Sequence, residues 1–249
     1  MAKKKIVVIG ATSVIAVNCA RLWVTQAPVE MTLIGRNEAR LDMVAADLRV
    51  RSPQSHIESL TTDFNNPEVI ASLVKQLYQN GSIDLVLIAH GALLDQQQCQ
   101  ESLDLCYESL LVNGVSPVLF AEAFAKHMEQ VNSGSLVLIS SVAGDRGRKS
   151  NYIYGAAKGL INRYAQGLQH RLAKTNVQVI LIKPGPTDTP MTAHLKSQGQ
   201  RLANPARVAE VINKGIEKQK TVIYAPTLWR YIMTVICCIP NFIFAKMDI

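Results

Sequence analysis

Tyr154 and Lys158 stand four residues apart in Tyr154-Gly155-Ala156-Ala157-Lys158. On a helix that spacing brings a phenol and an ammonium onto one face. A nearby cation favours phenolate and draws the tyrosine pKa down from its reference of about 10, toward the range useful for proton exchange with a carbonyl oxygen near neutral pH. Alone, the pair is equally what a solvated helix face looks like. Context strengthens it: Ser141, in Leu138-Ile139-Ser140-Ser141-Val142-Ala143-Gly144, precedes Tyr154 by thirteen residues. Asn113 precedes Ser141 by twenty-eight, inside a helical pattern that Gly114 weakens. A buried amide there needs partners. Ser140 is the rival for the hydroxyl role, with spacing to Tyr154 favouring Ser141. Tyr152 is a weaker rival to Tyr154, because Ala156 and not lysine follows it by four.

A second group of residues suits a dinucleotide. The first apolar run ends in Gly10-Ala11-Thr12-Ser13-Val14-Ile15-Ala16. A glycine at a strand end permits a tight turn, and the helix start beyond it offers free N–H groups to a pyrophosphate. Val14 and Ala16 stand where the dinucleotide fingerprint has glycines, so an ordinary strand–helix turn is the competing reading. After the second run comes Gly35-Arg36-Asn37, with no carboxylate for a ribose 2′-hydroxyl. Arg36 favours a 2′-phosphate, hence NADP(H) over NAD(H); the alternative is a solvated arginine before a helix. Asp63 is positioned to accept from an adenine amine, with Phe64 beside it, or else to turn the chain. Lys183-Pro184-Gly185-Pro186-Thr187 forms a rigid turn suited to a nicotinamide carboxamide.

These residues need elements to hold them at one edge. Short apolar, β-branched runs at Lys5–Ile9, Met31–Ile34, Ile57–Thr61, Leu85–Ala89, Ser135–Ser140, Val177–Lys183 and Val222–Tyr224 alternate with helical patterns at Ser13–Thr25, Asn37–Arg51, Pro67–Gln79, Glu101–Met128, Tyr152–Lys174 and Pro205–Lys218. The alternation predicts an α/β, single-domain Rossmann fold, a doubly wound parallel sheet of about seven strands, with ligands beyond the carboxyl ends of the strands. With 249 residues, 48% hydrophobic and 18% charged, the chain suffices for one core without disulfides or metal. The formal charge of +7 is scattered, and Lys3-Lys4-Lys5 is too short for a nucleic-acid patch. The five cysteines show no metal-ligand spacing and no secretory signal opens the chain, so no metal is expected and the expected location is the cytoplasm.

Together, the Gly10 loop, Asn113, Ser141, Tyr154/Lys158 and Pro184-Gly185 resemble the short-chain dehydrogenase/reductase family over nearly the whole chain. The resemblance implies Tyr154 as general acid/base and Ser141 as a hydrogen-bond partner of the substrate oxygen. Lys158 would hold the nicotinamide ribose, and Asn113 a proton-relay water. Cofactor contacts would come from Gly10, Thr12, Ser13, Ile15, Arg36, Asp63, Phe64, Ala89, His90, Gly91, Tyr154, Lys158, Pro184, Gly185 and Thr187. Two departures stand out. Val14 replaces a loop glycine, and Ile88-Ala89-His90-Gly91 replaces the family's Asn-Asn-Ala-Gly, so that His90 either touches the nicotinamide side or packs as a neutral ring. The implied activity is NADPH-dependent interconversion of a carbonyl and a secondary alcohol, in a homodimer or homotetramer. A catalytically silent NADP-binding sensor or scaffold is the alternative. The segment from Ser140 to Asn151, with Arg230-Tyr231-Ile232-Met233 and Ile239-Pro240, is similar to decaprenylphosphoryl-2-keto-ribose reductases, which implies a bulky keto-sugar or lipid-linked substrate. Specificity is expected from the loops Leu93–Gln100 and Met191–Asn204.

Residues 1–228 make the expected domain and 229–249 an apolar carboxyl-terminal segment. From Tyr231 to Phe244 the chain is uncharged, but Pro240 interrupts it and it is short of the roughly 20 residues a bilayer crossing takes. Its aromatic and basic flanks suit a segment lying on the inner face of a membrane, a lid over a lipophilic substrate, or packing against a neighbouring subunit.

Overall fold

The computed structural model describes residues 3–197 and 199–247; of the expected segments 1–228 and 229–249, positions 1, 2, 198, 248 and 249 lie outside that description. Seven strands form: β1 (Lys4–Ile9), β2 (Val29–Gly35), β3 (His56–Thr61), β4 (Leu85–Ile88), β5 (Gly134–Ile139), β6 (Val177–Pro184) and β7 (Val222–Ala225). They pair in the order β3-β2-β1-β4-β5-β6-β7, every pair parallel. The sheet is the doubly wound one the alternation predicts.

Alternation of side chains divides the core into two layers. Ile6, Val8 and Leu33 face α1 (Val14–Gln26) and α2 (Glu38–Arg51), whose Cys19, Trp23, Leu41 and Leu48 are buried against them. Val7, Ile9 and Val86 face the opposite way, toward α3 (Pro67–Gln79) with its buried Ile70 and Val74. Strands covered on both faces must be apolar on both, and all four residues of β4 are buried. Because β2 lies on one side of β1 and β4 on the other, the chain reverses direction across the sheet between β1 and β4. A crevice opens there at the carboxyl ends of the strands.

The expected helix Glu101–Met128 is not one helix. It divides into α4 (Gln96–Glu101), α5 (Leu103–Leu110), a π-helical segment Leu111–Val115 and α6 (Ser116–Val131). Ser102 starts α5 by accepting from the Leu105 N–H at 3.3 Å. Pro117, in the first turn of α6, lacks the N–H that an α-turn would aim at the carbonyl of Asn113, and Gly114 eases the widened turn. The apolar period runs through all four pieces, which is why it reads as one helix.

Beyond β5 follow α7 (Tyr152–Arg171), α8 (Ala193–Ser197) and α9 (Pro205–Glu217), the last covering the α1 face through Val208, Ala209 and Ile212. The carboxyl-terminal segment forms α10 (Leu228–Cys238) and α11 (Asn241–Phe244), separated at Pro240. No helix among the described residues is long and apolar enough to cross a membrane.

Candidate active site

A cavity of about 460 Å³ occupies the crevice. Its wall runs from the β1 and β2 ends (Gly10, Thr12, Ser13, Ile15, Arg36) past the β4 end (Ala89, His90, Gly91) to Ser141, Tyr154, Lys158, Pro184, Gly185 and Thr187. From β2 to β5 is three inter-strand spacings, about 14 Å, room for an extended dinucleotide. Among the described residues, four cationic side chains line the wall (Arg36, Arg40, Arg148 and Lys158), and no carboxylate does.

Gly10 turns with φ +77°, and a Cβ there would come within 2.5 Å of the His90 backbone nitrogen. Only glycine lets the two strand ends approach this closely. Ser13 precedes α1 without a side-chain capping bond, leaving the helix's first N–H groups open to the cavity. Val14 is accommodated in the wall. Arg36 and Arg40 are exposed at the β2 end, held in register by Asn37, which accepts from the Arg40 N–H at 2.9 Å. Asp63 is not brought to the cavity wall: its Oδ1 accepts from the Asn65 N–H at 2.8 Å, turning the chain so that Phe64 and Asn65 line the wall instead.

His90 does both things its position allows. Its ring stacks on Phe64 (centroids 4.8 Å apart, planes 6° from parallel) and lines the cavity. Burial, with the charges of Lys158 and Arg36, pushes its pKa down to about 3, so the ring is neutral. The Ser116 hydroxyl gives its one proton to the Phe64 carbonyl at 2.6 Å, so His90 Nε2 must donate to Ser116 Oγ at 2.9 Å. Nδ1 is then a bare acceptor, and no partner among the described residues reaches it.

At the far end Ser141 and Tyr154 both line the wall, and Ser141 Oγ accepts from the Ala143 N–H at 3.1 Å. Ser140, the rival, donates to Asn162 Oδ1 at 2.6 Å and the Lys158 carbonyl at 3.1 Å, which occupies it in packing. Tyr152 is 44% exposed and is not part of the cavity wall. Lys158 is only 3% exposed, and its ammonium has one long hydrogen bond, 3.4 Å to the Ile139 carbonyl. That leaves two of its N–H groups for a ligand.

One expectation is reversed. Tyr154 is pushed up to about 12 rather than drawn down, because burial outweighs the hydrogen bond from Ser141 that favours phenolate. Lys158 lies 5.6 Å from the ring centroid and is itself lowered to about 8 by burial, and it is not among the causes of the Tyr154 shift. Asn113 also differs in placement. Its side chain lies behind the wall, fully buried, accepting from the Ala92 N–H at 2.9 Å and donating to the Ser109 carbonyl at 2.9 Å. It braces Gly91 against the π-helical segment.

Several wall residues escape sequence reasoning. Arg40 follows Arg36 by one helical turn, a spacing that could have revealed it. Arg148 and Asn151 sit in an irregular loop with no periodic signal, and Leu93, Met191 and Leu195 come from the two loops expected to set specificity. No residue of 229–247 lines the cavity, and the tail packs on the loop before α7. Arg146 donates to the carbonyls of Ile236 at 2.5 Å and Ile239 at 2.6 Å, and its guanidinium stacks 3.8 Å above Phe244.

The sequence profile of the short chain dehydrogenase family matches residues 4–200. An uncharacterized oxidoreductase of Staphylococcus aureus is 31% identical over 220 residues, 88% of this chain and 93% of that protein. A short-chain dehydrogenase from Sphingobium yanoikuyae in complex with NADPH shares the fold at TM-score 0.78 and 21% identity, covering 98% of this chain and 96% of that one. So does the bulky-bulky ketone specific alcohol dehydrogenase from Comamonas testosteroni, at TM-score 0.78 and 20% identity over 99% and 96% of the two chains. The chain belongs to the short-chain dehydrogenase family and is an NAD(P)-dependent oxidoreductase.

Proposed function

We propose that the protein reduces a bulky ketone with NADPH. One observation carries the reading: Ser141, Tyr154 and Lys158 meet at one end of a cavity whose other end offers Arg36 and Arg40, with no carboxylate between them among the described residues. The residues fit the cofactor. The Gly10 turn and open start of α1 suit its pyrophosphate, Arg36 and Arg40 a 2′-phosphate, and the bare Nδ1 of His90 and the underused Lys158 ammonium its hydroxyls or amide. The chemistry such a cofactor supplies is hydride transfer.

The chain's own groups handle the proton. With its pKa pushed up to about 12, the Tyr154 phenol is protonated at neutral pH and donates to the carbonyl oxygen, while Ser141 hydrogen-bonds the same oxygen. The opposite direction requires the phenol to lose its proton first, so alcohol oxidation rises with pH through the alkaline range while reduction does not. Leu93, Val142, Pro190, Met191 and Leu195 give the substrate end an apolar wall suited to a bulky group. A scaffold without turnover is disfavoured, because a buried, poorly partnered ammonium is costly unless something uses it.

The test is a screen of bulky ketones with NADPH against wild type and Tyr154→Phe. Wild type turns over at least one; the variant loses turnover by two or more orders of magnitude (about 10²–10⁴ for a lost general acid) yet binds NADPH. Equal turnover in the two refutes the mechanism.

The tail is read as an interfacial foot on an anionic bilayer. Leu228, Tyr231, Val235 and Phe242 are exposed along the outer side of α10 and α11. From Lys218 to Met247 the chain has four basic residues and no acidic one. Phosphatidylglycerol vesicles should sediment the wild type and not Tyr231→Glu/Phe242→Glu; if that variant instead loses an oligomeric state without any vesicle effect, the surface belongs to a second copy.

A further inference from the structure

Three of the four cations in the cavity wall have an evident task in the reading just given. Arg36 and Arg40 stand at the β2 end and Lys158 beside Tyr154. Arg148 is left over. It lies between Ser141 and Tyr154 in sequence and lines the same cavity. Its Nε is buried with no hydrogen-bond partner, and its guanidinium makes no ion pair among the described residues. Burial lowers its pKa. A guanidinium nonetheless stays charged in a protein, so the charge needs an external counterpart.

The neighbouring cations show how different this is. Arg146, two residues away, donates to three backbone carbonyls and to Asn241 Oδ1. Lys183 is paired with Asp145 at 2.5 Å. Asn151, whose N–H donates to the Arg148 carbonyl at 3.1 Å, also lines the wall. A guanidinium with a buried, unpartnered Nε, in a wall where no carboxylate stands among the described residues, is an anion site awaiting its anion.

We propose that Arg148 binds an anionic substituent, a phosphate or carboxylate, on the ketone that this site reduces. The proposal rests on the reductase reading for the word ketone; the anion site itself stands on Arg148's surroundings. The guanidinium fork offers two parallel donors to such a group and so orients the carbonyl toward Tyr154 and Ser141 as well as holding the substrate.

The experiment uses the NADPH complex and matched pairs: dihydroxyacetone and its phosphate, ribulose and ribulose 5-phosphate, ethyl acetoacetate and acetoacetate. Binding is measured by calorimetry in a Tyr154→Phe background, and kcat/KM in the Tyr154 enzyme. At least one anionic member should bind about tenfold or more tighter than its neutral partner, the preference vanishing in Arg148→Ala and returning in part in Arg148→Lys. The pairs tell phosphate from carboxylate. No Arg148-dependent binding of any anionic member overturns the proposal, as does an equal fall in NADPH affinity in Arg148→Ala, which would assign the guanidinium to the cofactor. Arg148-dependent binding with no turnover of any ketone upholds the anion site and sinks the reductase reading. Turnover of neutral ketones with no anionic preference does the reverse.

Discussion

The indole of Trp229 lies so close over Gly185 that a Cβ at that position would come within 2.0 Å of Nε1. A turn in the wall of the cavity and the first turn of the carboxyl-terminal helix are thus packed backbone to ring. Gly185→Ala should push α10 off the turn, costing about 1–3 kcal/mol, or roughly 2–4 °C in Tm per kcal/mol, and weakening NADPH binding. Thermal denaturation with and without NADPH measures both; an unchanged Tm contradicts the packing.

Lys158 is a stability liability retained for its site. Its pKa falls from 10.5 to about 8 on burial, so below pH 8 the folded protein holds a charge it disfavours. Between pH 8 and 10.5 the unfolded chain binds the extra proton, and stability rises with pH. Lys158→Met should therefore stabilise the ligand-free protein by about 1–3 kcal/mol at pH 7, with the gain shrinking toward pH 10, while abolishing turnover. Urea unfolding at the two pH values decides it. A less stable variant at pH 7 contradicts the claim.

His90 works in the opposite range. Its folded pKa of about 3 lies below the usual 6.5, so between those values only the unfolded chain is protonated, and stability falls as pH drops below 6.5. His90→Ala should flatten the acid limb by up to one proton, about 1.4 kcal/mol per pH unit. An unchanged slope between pH 4 and 6 means that His90 is not the titrating group.

Arg36 and Arg40 should read the 2′-phosphate together. Replacing Arg36 by Asp and Arg40 by Ala should lower the NADP-to-NAD ratio of kcat/KM by roughly tenfold or more per arginine. A ratio that stays put in the double variant removes both from cofactor choice.

Arg146 ties the tail to the loop between Ser141 and Tyr154. Arg146→Ala leaves the carbonyls of Ile236 and Ile239 without that donor and should loosen α10 and α11 by about 1–3 kcal/mol. Limited proteolysis near Pro240 should then outpace cleavage of the wild type while the rest of the chain stays resistant. Equal rates would show that Trp229 and Met233 suffice to hold the segment.

The strands, the order of elements and the Ser141, Tyr154, Lys158 grouping were legible in sequence because they depend on local periodicity and short spacing. A two-sided apolar run reads as a covered strand wherever it lies, and an i, i+4 pair shares a helix face in any fold. The break at Asn113 was not legible as such: Gly114 and Pro117 were visible, but the apolar period continued across them. The sign of the Tyr154 shift was decided only in three dimensions, since proximity to a cation is a matter of spacing, whereas burial is set by every element packed around the phenol. Asp63 turning the chain, Asn113 sitting behind the wall, Trp229 meeting Gly185 and Arg148 facing the cavity without a counter-charge are likewise properties of distant segments brought together. Sequence determined which groups this protein has for its chemistry; packing determined which of them are free to use it.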